Sequence, residues 1–88
     1  MYRITLICSG LSDAEGRSSM PDILEEFTHR QWHTDANCEW KEGILRFSAT
    51  NDFDKAGLAL LDEFGDAINA CINYSGDIHF AVESVKNL

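Results

Sequence analysis

The residues best placed to do chemistry lie in "EEFTHRQWHTD", residues 25–35, where His29 and His33 stand four positions apart. Imidazoles at that spacing stack on one helix face, and Glu25 extends the line by another turn. Imidazole and carboxylate both bind zinc. A structural zinc site takes four ligands, however, and a catalytic one takes three plus an open position. With the buried stripe centred on Phe27, His29 falls at about 200° and His33 at about 240°, on the solvent side. Glu25, His29 and His33 thus form a candidate metal line. The simpler reading is a helix end whose leading acids and trailing basic groups suit the macrodipole. Trp32 lies about 140° from the stripe. Either the helix stops near Arg30 and the indole folds inward, which the turn towards Ala36 favours, or Trp32 is an exposed anchor for a partner.

Other chemical signatures are sparse. The chain has no Gly-x-Ser-x-Gly elbow, phosphate-binding loop or dinucleotide fingerprint. Arg17, Ser18 and Ser19 precede an expected helix and form a weak anion site, in a segment read as a loop from Ser9 to Ser18. Cys8, Cys38 and Cys71 have no Cys-x-x-Cys spacing and sit within apolar patterns, as buried free thiols of a reducing compartment do. The second helix presents Asp54, Asp62, Glu63 and Asp66 outward. Such a ridge either faces solvent or meets a basic partner.

Charge narrows the partners. Fifteen acids against seven bases leave −8 over 88 residues, with eight acids and four bases in residues 1–44 and seven and three in residues 45–88. Such a surface repels phosphate backbones and anionic membranes and attracts basic proteins. No run approaches the ~20 apolar residues of a membrane span, and the N-terminal run is too short and interrupted for a secretory signal, so a cytoplasmic location is expected. The length suits one domain, residues 1–88.

The elements that must position these groups are legible from periodicity. Ile4, Leu6 and Cys8 alternate with Arg3, Thr5 and Ile7 in a first strand. A helix is expected to open at Ser19, with Asp22 completing a capping box and Pro21 in the first turn. Its buried stripe is Met20, Ile23, Leu24 and Phe27. "ANCEW" and "LRFSAT" form a hairpin. An even loop sets Trp40 against Leu45, Cys38 against Phe47, Ala36 against Ala49 and Glu39 against Arg46. A second helix runs from caps at Thr50, Asn51 and Asp52 through a stripe from Phe53 and Gly57 to Ile72, Gly57 marking close approach to the sheet. Ile78, Phe80 and Val82 belong to a last strand.

The order strand, helix, two strands, helix, strand resembles the ferredoxin-like (split βαβ) α+β class. It implies a four-stranded antiparallel sheet with both helices on one face. Acylphosphatases and RNA-recognition modules share that order. The glycine and aromatic pattern around the acylphosphatase arginine is missing here, and the open sheet face lacks the aromatics that stack bases. Ile7, Ile44, Ala81 and Val85 give that face a moderate apolar character compatible with a homodimer. In size and charge the chain resembles bacterial immunity proteins and phage-encoded inhibitors of host defence nucleases. That resemblance implies a non-enzymatic, cofactor-free module docking on a basic surface of a larger protein, such as a nucleic-acid-binding protein. Asp62, Glu63 and Asp66 would contact the partner, with Trp32 as anchor. The alternative is a small-ligand or metal-binding regulatory domain, dimeric, using the loop after the first strand or the His29/His33 line.

Overall fold

Alternation along "YRITLICS" places Ile4, Leu6 and Cys8 at zero exposure in the central strand β1, Tyr2–Ser9. The computed structural model describes all 88 residues. After β1 come α1 (Asp13–Thr28), β2 (Thr34–Lys41), β3 (Ile44–Asn51), α2 (Leu58–Cys71) and β4 (His79–Asn87). The sheet order is β2-β3-β1-β4 with every pair antiparallel, and α1 packs against β2 and α2. The fold is ferredoxin-like α+β. Between helices and sheet lies a relay of rings. Phe27 meets Phe47 at 4.5 Å between centroids, Phe47 stacks on Phe64 at 5.3 Å, and Phe64 meets Phe80 edge-on at 5.9 Å. Each such contact contributes about 0.5–1.5 kcal/mol beyond burial.

The hairpin has the even loop. Cys38 faces Phe47, Glu39 faces Arg46, Trp40 faces Leu45 and Lys41 faces Ile44. Its two loop residues, Glu42 (φ 54°) and Gly43 (φ 76°), both lie in the left-handed region, the requirement of a type I′ turn. The pairing of Ala36 with Ala49 fails. A one-residue shift between Thr34 and Asn37, with Asp35 at φ 53°, sets Thr34 against Thr50. The Arg3 guanidinium steadies this bulge, donating to the Asp35 carbonyl at 2.7 Å and to Ser48 Oγ and Thr50 Oγ1.

Helix α1 starts six residues earlier than Ser19. Ser12 is the N-cap, accepting from Glu15 N at 3.1 Å, while the Glu15 carboxylate accepts from Ser12 N at 2.8 Å. Pro21 therefore sits mid-helix on the exposed side, and Arg17, Ser18 and Ser19 are helical, not loop. The extra turns are retained because they bury Gly16 flat beneath the Trp40 indole, leaving no room for a Cβ. Trp40 Nε1 donates to the Asp13 carboxylate at 2.6 Å.

Helix α2 starts later than the periodicity implied, and Phe53 is half-exposed ahead of it. The chain first turns around Asn51, whose Oδ1 accepts from Phe53 N and Asp54 N. Asp54 is then buried, not outward, because its carboxylate caps α2 by accepting from Ala59 N and Leu60 N. Gly57, at φ 79°, does approach the sheet closely, with Ile4, Val82 and Val85 crowding the space of a Cβ. A bulge opposite Thr5 and Leu6 makes Glu83 the extra residue of β4 and turns Val85 to the core side, so Val85 is not part of the open face.

Candidate functional site

The histidines separate because α1 ends at Thr28. His29 is the exposed C-cap, its N–H reaching the Glu26 and Phe27 carbonyls. The next turn, closed by His33 N to the Arg30 carbonyl at 3.0 Å, drives His33 inward until its side chain is wholly buried. Its ring sits about equally far from Phe27, Phe53 and Trp32, at 5.9, 5.9 and 6.0 Å. Glu25, His29 and His33 thus share no face, and no three His, Cys, Asp or Glu side chains converge as metal ligands would.

Both nitrogens of His33 are committed. Asn51 Oδ1 already accepts two backbone N–H groups, so its Nδ2 is the donor to His33 Nδ1 at 3.2 Å. That fixes the tautomer: Nδ1 accepts, and Nε2–H donates to Glu63 Oε2 at 2.6 Å. Glu63 also accepts from Arg30 at 3.1 Å and from Trp32 Nε1 at 3.1 Å, while Arg30 reaches Glu26 and lies over the Phe27 ring. Burial opposes ionisation of Glu63, but the donors His33, Arg30 and Trp32 together outweigh it and hold the carboxyl below its ordinary range. This network ties α1's exit, the end of β3 and α2 together.

Of the acids singled out in α2, Glu63 is therefore largely buried and bonded within the fold, whereas Asp62 and Asp66 are exposed and carry no ion pair. Trp32 does not fold inward. It is 53 % exposed, pinned to Glu63 by its indole N–H. Apart from the chain ends Met1 and Leu88, the exposed large hydrophobics are Trp32, Phe53 and Leu58, and the first two flank His33.

The charge is not spread over the surface. The two helices hold eight acids and one base, a net −7 of the chain's −8. The equal division between halves of the sequence concealed this, because α1 lies in one half and α2 in the other. Cys71 marks where the two acidic surfaces meet. Its Sγ lies 3.9 Å from the Asp22 carbonyl, and burial with the charges of Glu26, Asp22 and Glu25 pushes its thiol up. Burial pushes Cys8 up to about 11 and, with Glu39, Cys38 up to about 12, so all three thiols stay protonated at neutral pH.

The buried network carried little local signal, since the partners of His33 and Glu63 lie 18 to 33 residues away. "NDFD" was the readable part: an Asn followed three residues later by Asp is the sequence of a turn leading into a cap. Comparison with protein-family models, curated proteins and solved structures gave no match.

Proposed function

We propose that the chain is a non-enzymatic binding module of the inhibitor or immunity type, which docks its acidic helical layer on a basic surface of a larger protein and blocks or modulates it. The observation that carries this reading is the concentration of −7 on two adjacent helices beside a fixed, half-exposed tryptophan. A concentrated field steers a basic partner into contact. An aromatic already held by a hydrogen bond loses little side-chain freedom on binding, which suits it as an anchor. Asp62, Asp66 and Trp32 are the contact residues. Glu63 holds Trp32 in place from below, and its own carboxylate is already saturated with donors. The one buried histidine has neither ring nitrogen free for proton transfer, which supports a binding role over a catalytic one.

The test is parallel affinity capture with three baits, the wild type, Asp62→Asn/Asp66→Asn and Trp32→Ala, at low and moderate salt. A stoichiometric basic protein retained by the wild type, weakened by salt and lost with both variants, supports the reading. Retention equal across folded baits overturns the assignment of the surface.

A further inference from the structure

We propose that β2 is a docking edge for an extended basic peptide, which adds antiparallel to the sheet as a fifth strand and inserts a lysine or arginine side chain between β2 and α1. β2 is an edge strand. In a two-residue hairpin the residues flanking the turn form a hydrogen-bonded pair, and such pairs alternate along the ladder. Lys41, Glu39 and Asn37 therefore bond to β3, and the backbone N–H and C=O groups of Trp40 and Cys38 point away from it, up to the bulge at Asp35 and Ala36. Beside these outward groups lies the one cavity of the molecule, an open hollow of about 400 Å³ lined by Leu24, Phe27, Thr28, Gln31, Asp35 and Ala36, with His33 behind. Both edges carry a bulge, but that of β2 lies near its start and leaves Asn37 to Lys41 regular, whereas the bulge at Glu83 interrupts β4 in mid-strand and makes it the poorer template.

The hollow selects the occupant. A peptide residue opposite Ala36 points to the helix side, where the small Ala36 side chain leaves the space open. Leu24 and Phe27 suit the aliphatic stem of a lysine or arginine, and Asp35 suits its charged head. Three residues earlier in an antiparallel peptide, a residue on the opposite face meets Glu39. The preferred ligand is thus an extended segment with basic residues three apart. Asp62 and Asp66 lie on α2, which packs against β4, so this edge and the acidic-layer reading can fail independently.

The test uses the full chain and the capped hexapeptide Thr-Lys-Val-Thr-Lys-Thr, followed by amide chemical shifts. The expected result is shifts at Ala36, Cys38 and Trp40 and along the last turn of α1, with Cys38→Pro weakening binding at least roughly tenfold. Proline is tolerable there because the lost N–H makes no bond to β3. If Cys38→Pro does not fold, a peptide N-methylated at its valine carries the same test from the ligand side, and Asp35→Asn, which also accepts the left-handed backbone, should weaken binding. Equal affinity for the N-methylated peptide overturns the proposal. So do shifts confined to Trp32, Asp62 and Asp66, no shifts at about 1 mM peptide, or a free protein already dimeric through β2.

Discussion

Glu63 illustrates how one side chain can be assigned opposite roles from sequence and from structure. On a helical wheel it is one more outward acid; in the fold it receives hydrogen bonds from His33, Arg30 and Trp32. Its carboxyl titrates below the ordinary 4.5, so it binds fewer protons in the native state than when unfolded. The stability it contributes is fully present above that ordinary value and is lost as pH falls through the lower native one. Glu63→Gln should therefore lower stability at pH 7 by about 1.5–3 kcal/mol, the worth of hydrogen bonds to a charged group. The gap between wild type and variant in urea titrations should close as pH falls below the ordinary 4.5 and through the lower native value. A gap that persists unchanged at low pH would show that the negative charge is immaterial.

At the scale of elements, the two helices end and begin through side chains that a periodicity count does not weigh. Asp54 bonds two N–H groups of α2, so Asp54→Ala should cost about 1–2 kcal/mol in chemical denaturation, while Asp62→Ala should be within about 0.5 kcal/mol of wild type. A pair of glycines offers a sharper comparison. Neither Gly43 nor Gly65 has an atom within 4 Å of where a Cβ would stand. Gly43 has φ 76° in the hairpin turn, so Gly43→Ala should destabilise by about 1 kcal/mol through backbone strain alone. Gly65 lies within α2, so Gly65→Ala should raise stability by about 0.5–1 kcal/mol. Equal effects of the two substitutions would contradict the turn assignment. The hairpin register was readable because sheet faces alternate strictly and a one-residue slip would bury Glu39. The start of α1 was readable too, in Ser12 and Glu15, but Pro21 suggested a first turn. Packing of Gly16 against Trp40, 24 residues away in sequence, holds a helix that local rules would begin later.

For the whole molecule, placing −7 on two adjacent helices makes the native state self-repelling. Salt screens such repulsion, the screening length falling from about 30 Å at 0.01 M to about 3 Å at 1 M. The thermal midpoint should rise with sodium chloride over that range, and the rise should be smaller for Asp62→Asn/Asp66→Asn. Calorimetry of both proteins checks this. A midpoint independent of salt would mean that the acids are too far apart in solution to interact.

Composition and periodicity were enough to determine the order of the elements, the buried faces of β1 and β3, the hairpin register and the acidic character. Each follows from near neighbours or from sums over the chain, and neither depends on how distant segments meet. Bulges escaped that reasoning. One extra residue at Asp35 or Glu83 changes which side chains face the core without disturbing composition, and it moved Val85 to the side of Gly57. Tertiary structure alone decided the fate of "EEFTHRQWHTD". A chain leaving a helix can turn either way, and here the pocket made by Phe27, Phe53, Asn51 and Glu63 takes His33 in and leaves Trp32 outside. A buried histidine is stable only where both nitrogens find partners, and those partners come from β3 and α2, distant in sequence and brought together only by the fold.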